Sequence, residues 1–306
     1  MDKIAFIFSG QGAQYSGMGK ALYDCSPAAR AVFDMADRLR PGTSKQCFEG
    51  TPEELTVTEN TQPCIFCVDL AAAAALREAG VHADMLAGFS LGEIAALAFS
   101  GAVSYEDGFK LVCRRAQFMQ SASKEAPASM AAVLKLPDDD VVALTKEYEN
   151  VYAVNFNSPG QVVVSGEANA LELFKTRVKD AGGKVMPLKV SGGFHSPFMA
   201  PASDQFAAEL DNCVITPPSV PLYSNVKAQQ YEDDYKGLLA QQIKSPVQWW
   251  RTVENMIAAG AGTFIEVGPG KVLSGLVSRI SDKVRVLNVE DEASLLAVIA
   301  EVKKHA

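Results

Sequence analysis

Residues Lys3 to Phe8 alternate polar with apolar and then run apolar, the pattern of a strand entering a buried core. The loop Ser9-Gly10-Gln11-Gly12 follows. Helical periodicity then dominates to about Gly80 and is strongest from Thr61 to Glu78. Asp84 to Gly88 is a short apolar run that predicts a strand, and Leu91 to Phe99 predicts a helix. Strands separated by such helices predict a parallel sheet with helices packed on it.

The rhythm changes in the middle of the chain. Met130 to Leu136 predicts a strand, and Pro137 with three following aspartates opens a helix, where acidic side chains suit the positive end of the dipole. Val151 to Phe156 predicts a second strand, Asn157-Ser158-Pro159-Gly160 a turn, and Gln161 to Ser165 a third strand. A helix over Ala168 to Ala181 closes at Gly182-Gly183, and Lys184 to Val190 predicts a fourth strand. The order β-α-β-β-α-β is the ferredoxin-like pattern. It predicts an inserted domain over 127–195, carried by a discontinuous α/β domain made of 1–126 and 196–306. After the insert, strands are expected at Thr263 to Val267, stopped by Gly268-Pro269-Gly270, and at Val284 to Leu287, before a last helix.

Composition narrows the function. With 306 residues, 48% of them hydrophobic, the chain can bury one large core and a smaller one. A net charge of −8 argues against a broad nucleic-acid surface. No apolar run is long enough to span a bilayer, and the start MDKIAFIFSGQG has no signal-peptide pattern, which points to the cytoplasm. Of six cysteines only Cys64 and Cys67 have CxxC spacing; one such pair does not complete a zinc site, and buried free thiols are expected.

Gly88-Phe89-Ser90-Leu91-Gly92 matches G-x-S-x-G between a predicted strand and a predicted helix, the context this motif requires. So sharp a turn holds its middle residue in a strained conformation, and side chains at the glycines would strike adjoining backbone. Ser90 then sits at a helix N-terminus, where N–H groups favour a developing oxyanion. A serine nucleophile needs a base. Of three histidines, His82 precedes the Ser90 strand at the end away from the elbow, and His305 is penultimate. His195 remains, in a loop that leaves the insert and re-enters the large domain. This pair points to acyl transfer or ester hydrolysis without choosing between them.

Six motifs occur in one order: Gly10-Gln11-Gly12-Ala13-Gln14, Gly88 to Glu93, Arg115 within RRAQFMQ, Asn155 to Gln161, Gly193-Phe194-His195-Ser196-Pro197, and Glu266-Val267-Gly268-Pro269-Gly270-Lys271. Over essentially the whole chain this set resembles the malonyl-CoA:acyl-carrier-protein transacylases of type II fatty acid synthesis and the acyltransferase domains of polyketide synthases. The resemblance implies an α/β-hydrolase-like domain with a ferredoxin-like insert. It implies Ser90 as nucleophile, His195 as general base and acid, and the backbone N–H groups of Gln11 and Leu91 as oxyanion hole. It implies Arg115 as the grip on the malonyl carboxylate, Phe194 as the residue favouring malonyl over methylmalonyl, and a main-chain carbonyl, matched to Gln248, that orients the histidine. Asn155 and Asn157 are expected to shape the loop beside the site. One departure is Phe89, where the family usually has histidine.

The implied reaction is ping-pong, from malonyl-CoA to the phosphopantetheine thiol of acyl carrier protein, with no metal or other cofactor. A monomer is expected, with no nucleic-acid or membrane partner. Lys135, Lys189, Lys271 and Arg279 are candidate contacts for an acidic carrier. The competing readings are an acyl hydrolase of the same fold and an inactive module that binds carrier protein.

Overall fold

A computed structural model describes residues 2–188, 190 and 192–305. Among these residues nine strands form two sheets. They are β1 (Lys3–Phe8), β2 (Met85–Gly88), β3 (Ser129–Leu134), β4 (Val151–Ser158), β5 (Gln161–Gly166), β6 (Lys184–Pro187), β7 (Leu222–Tyr223), β8 (Ala261–Val267) and β9 (Arg285–Val289).

The larger sheet has the order β7-β2-β1-β8-β9, and every pairing in it is parallel. Alternation along β1 divides the core between its faces. Phe6 and Phe8 join one cluster, while Ala5 and Ile7 join the other. The helix Thr58–Glu78 is buried on nearly all sides against the first cluster, which explains its apolar sequence. Strands β1, β2 and β8 end at Phe8, Gly88 and Val267, so their following loops gather at one edge, where open parallel sheets place their sites.

The smaller sheet is antiparallel with the order β4-β5-β3-β6. One face carries Ala131, Val133, Val162 and Val164 against the helices Asp138–Thr145 and Ala168–Asp180. Met130, Ala132 and Val163, on the opposite face, join the main core. The edge strand β4 is tied to the larger body where Val247 N donates to Val154 O and Phe156 N donates to Val247 O, both at 2.9 Å.

Several boundaries move from the sequence reading. β3 stops at Leu134 rather than Leu136 because Lys135 takes a left-handed φ of 69°, which ends extended pairing. β4 runs on to Ser158, so Asn157 and Ser158, expected in the turn, lie on the strand with Asn155. β6 ends at Pro187, whose ring nitrogen cannot donate to a ladder. Lys189 lies outside the described residues. The two-residue β7 has no distinct pattern in the sequence and was not anticipated. Cys64 and Cys67 are buried free thiols. No helix among the described residues is long and apolar enough to cross a membrane.

Candidate active site

The turn after β2 is fixed by backbone contact. A Cβ on Gly88 would lie 2.0 Å from Gly92 C and O, and a Cβ on Gly92 would lie 2.4 Å from Phe8 O and 2.5 Å from Ser9 O. Both positions therefore require glycine. Between them Ser90 is held at φ 55°, the strained left-handed region. Asn225 staples this turn: its Oδ1 accepts from Ser90 N at 2.7 Å, and its Nδ2 donates to Gly88 O at 2.6 Å. The helix Gly92–Phe99 starts immediately afterwards.

His195 reaches the same point from the loop after β6, also with a left-handed φ of 61°. Its Nε2 lies 2.8 Å from Ser90 Oγ. Its Nδ1 lies 2.9 Å from the main-chain oxygen of Gln242. A carbonyl only accepts, so Nδ1 carries the proton and Nε2 presents its lone pair to the serine hydroxyl. The carbonyl expected from Gln248 is thus supplied six residues earlier. Gln248 O is occupied in capping the helix Trp249–Ala258, accepting from Thr252 N and Oγ1, each at 2.9 Å. Burial and the nearby Arg115 charge lower the His195 pKa to about 4, so the imidazole is neutral near pH 7.

Arg115 and Arg114 part as neighbours on a helix must. Arg114 faces outward to Glu209 at 3.2 Å, while Arg115 is fully buried. Arg115 Nη1 donates to Gln62 Oε1 at 2.7 Å, and Nη2 donates to Gln242 Oε1 at 2.7 Å and to Ser90 Oγ at 3.1 Å. Its Nε has no partner, and among the described residues no carboxylate lies within ion-pair distance of it. Burial lowers its pKa to about 10, still fully charged near neutrality, and Glu93 opposes the shift.

A cavity of about 80 Å³ opens over Ser90 and His195, lined also by Gln11, Asn155, Met130 and Phe194. Among the described residues neither Gln11 N–H nor Leu91 N–H has an internal acceptor. Two free donors therefore flank the serine, an arrangement able to hold an oxyanion. Asn155 Oδ1 and Asn157 Oδ1 are buried acceptors without a partner. The Phe89 ring stands edge-on to Trp249 at 5.5 Å, filling the place beside the serine with an apolar contact.

Of the remaining sequence candidates, His82 is exposed and far from this cluster, and the His305 side chain lies outside the described residues. Lys135 and Arg279 come to one edge: Arg279 Nη1 donates to Gln161 Oε1 at 2.5 Å, and Lys135 N donates to Gly160 O at 3.2 Å. The charge of Lys271 instead acts on Asp291. The Gly268-Pro269-Gly270 turn is structural, with Glu266 capping the next helix through Leu273 N and Ser274 N. Sequence reasoning missed Asn225, Gln242, Gln62 and Tyr231. Of these, Gln62 left a signal, as a polar residue, like Asp69, buried in a largely apolar helix.

A strained serine, a neutral imidazole in the correct tautomer and two free N–H donors define a serine acyl-transfer site. Comparison with known proteins narrows the class: residues 5–305 match the acyl transferase domain model, and the chain belongs to that family. It is 41% identical over 312 residues to the malonyl CoA-acyl carrier protein transacylase of Bacillus subtilis (strain 168), covering 99% of this chain and 98% of the relative. Its structure superposes with a TM-score of 0.95 on the corresponding transacylase of Clostridium perfringens, 40% identical, covering 99% and 98% of the two chains. It also superposes, with a TM-score of 0.94 and 34% identity, on a malonyl-transacylase solved with its type II polyketide acyl-carrier protein, covering 98% and 99% of the chains.

Proposed function

We propose that this chain moves a malonyl group from malonyl-CoA to the phosphopantetheine thiol of an acyl carrier protein through a malonyl-Ser90 ester. The observation that carries this reading is Arg115: a buried guanidinium, without a carboxylate partner, 3.1 Å from Ser90 Oγ. An acyl group on Ser90 that ends in a carboxylate supplies a direct ion-pair partner, which guanidinium can hold in bidentate geometry. A generic acyl hydrolase has no use for such a cation.

In the first half-reaction His195 Nε2 takes the Ser90 proton as Oγ attacks the thioester carbon. The oxyanion rests on the N–H groups of Gln11 and Leu91, each such donor being worth roughly 3 kcal/mol. The C–S bond breaks and the proton passes from His195 to the departing CoA thiolate. In the second half the carrier thiol, deprotonated by His195, attacks the ester carbon, and Ser90 Oγ leaves with that proton. Both steps exchange one acyl ester for another and call for no metal or redox cofactor. Asn155 Oδ1, an unpartnered acceptor in the cavity, suits an amide N–H of the pantetheine arm. Phe194 narrows the space beside the malonyl methylene. Lys135 and Arg279 together suit the acidic carrier.

We further assign 1–126 and 196–306 to an α/β-hydrolase-like domain and 127–195 to a ferredoxin-like insert, on the strand orders given above. Intact-protein mass spectrometry after brief mixing with malonyl-CoA tests the function. The expected result is a malonyl adduct, absent in Ser90→Ala and discharged by holo carrier protein. Release of free malonate without an adduct or transfer would favour the hydrolase.

A further inference from the structure

Beside the Ser90–His195 pair lies a buried carboxylate that the transfer scheme leaves unused. Glu93 is fully buried, three residues after the serine. It accepts from Tyr231 Oη, from Gln242 Nε2 at 2.6 Å and from Asn225 N at 3.3 Å. The Gln242 side chain is the link to the arginine: its Oε1 takes Arg115 Nη2 at 2.7 Å, while its Nε2 also donates to Ser90 O at 2.8 Å. One neutral amide thus separates one buried cation from one buried anion.

Among the described residues, the charged and titratable groups acting on Glu93 are Arg115, from the helix Tyr105–Glu125, and Tyr231, from the segment after β7, while His195 meets Ser90 instead. The buried Asp69 of the helix Thr58–Glu78 sits instead against Ser9 and Gly268. With His195 neutral, the empty site balances Arg115 against Glu93 where that carboxylate is ionised, above about pH 7. A malonyl ester adds a second anion to the same water-excluded space, where an unbalanced charge is costly.

We propose that Glu93 is the resident counter-ion of Arg115, and that malonyl loading on Ser90 drives uptake of one solvent proton by the Glu93 carboxylate. The incoming carboxylate then replaces Glu93 as the partner of Arg115. The exchange itself stays balanced: the Ser90 Oγ–carbonyl bond forms, the C–S bond breaks, and the serine proton ends on the CoA thiol. The extra proton comes from water and returns to it when the carrier removes the malonyl group. Burial already raises the Glu93 pKa to about 7, against the opposing pull of Tyr231, Gln242, Asn225 and Arg115. A second anion nearby raises it further.

This inference rests on the malonyl-ester reading, and its test separates the two. Enzyme is equilibrated with fixed ratios of malonyl-CoA to CoA from pH 6 to 9, and the malonyl-Ser90 fraction is read by acid quench and intact mass. Glu93→Gln at the same pH cancels ionisation of the CoA thiol. Relative to that variant, loading of the wild type should be flat below about pH 7. It should then fall by up to about tenfold per pH unit, the slope of one linked proton. Acetyl-CoA, whose acyl group carries no charge, should show no such difference. Tyr231→Phe, which removes a donor to the ionised carboxylate, should move the falling limb to higher pH, and it carries the test if Glu93→Gln does not fold. Parallel malonyl curves for wild type and Glu93→Gln, or a limb unmoved in Tyr231→Phe, would overturn the proposal. Absence of any malonyl adduct at every pH would refute the transacylase reading and this inference with it.

Discussion

Replacing Gln242 by alanine separates two roles that one residue combines. Its side chain accepts from Arg115 and donates to Glu93 and to Ser90 O, whereas its main-chain oxygen alone orients His195. Truncation leaves Arg115 Nη2, Glu93 Oε2 and Ser90 O each short of a partner in a buried site. An orphaned buried polar group costs about 1–3 kcal/mol. Arg115 keeps Gln62, and Glu93 keeps Tyr231 and Asn225, so the sum should be roughly 3–4 kcal/mol. That is a large part of a typical total of about 5–15 kcal/mol, and urea unfolding should show it as a lower midpoint. The Ser90–His195 pair should persist, because the carbonyl at Nδ1 is untouched. Labelling by a fluorophosphonate, which needs serine and base but no malonyl grip, should slow by less than about tenfold, or 1.4 kcal/mol. Gln248→Ala, whose side chain meets only exposed Arg251, should change stability by no more than about 0.5 kcal/mol and leave labelling unchanged. The reasoning fails if Gln242→Ala unfolds at the wild-type midpoint, or if Gln248→Ala is the variant that loses labelling.

Arg115→Ala should lower kcat/KM for malonyl-CoA by roughly 100-fold, from about 3 kcal/mol of lost charge-assisted bonding, with acetyl-CoA spared in the same assay. The rate should also fall as pH drops through about 4, where His195 gains a proton and can no longer act as base; a stopped-time pH profile of kcat/KM reads this limb. The same shift affects folding. The folded pKa lies below the unfolded value near 6.5, so the unfolded chain binds more protons between the two, and His195 lowers stability progressively as pH falls from about 6.5 to about 4. Gly92→Ala should cost about 3 kcal/mol or more in thermal unfolding, because its Cβ has only rigid backbone oxygens to displace. Phe194→Ser should bring methylmalonyl-CoA closer to malonyl-CoA by about tenfold in competition, the worth of one methyl in a pocket.

The parts of this architecture that depend on local pattern were legible in the sequence. Alternation running into an apolar stretch marked β1, short apolar runs broken by Pro137 and by Asn157 to Gly160 marked β3, β4 and β5, and the glycines at 88 and 92 marked the elbow because backbone must pass within a Cβ radius of both. His195 emerged by elimination, since only three histidines exist and one sits at the junction of the two sheets. What stayed hidden depends on long-range approach. Asn225 meets Ser90 across 135 residues and Gln242 meets it across 152, and neither lies in a segment whose periodicity sets it apart. The misassigned Gln248 shows the same limit. A main-chain carbonyl carries no residue signature, so a motif can bring the right segment to the histidine and still miss the acceptor by six positions. Strand ends erred where one residue's φ decided them, as at Lys135.

Among the described residues no acid stands beside His195, and this has an electrostatic reason in the site. An aspartate at Nδ1 would orient the imidazole as well as a carbonyl does, but it would add a full negative charge close to Arg115, whose own field already reaches His195. In a buried cluster the guanidinium would pair with that aspartate directly, and the malonyl carboxylate would have to displace a fixed, hydrogen-bonded rival. The Gln242 carbonyl orients the ring without adding charge. Glu93, held one amide away, balances the resting cation without occupying the face of Arg115 that meets Ser90. The imidazole gives up the basicity that an aspartate would lend it, consistent with its lowered pKa. In exchange Arg115 stays available beside the serine, and Arg115 Nη2 and His195 Nε2 share one hydroxyl without neutralising each other.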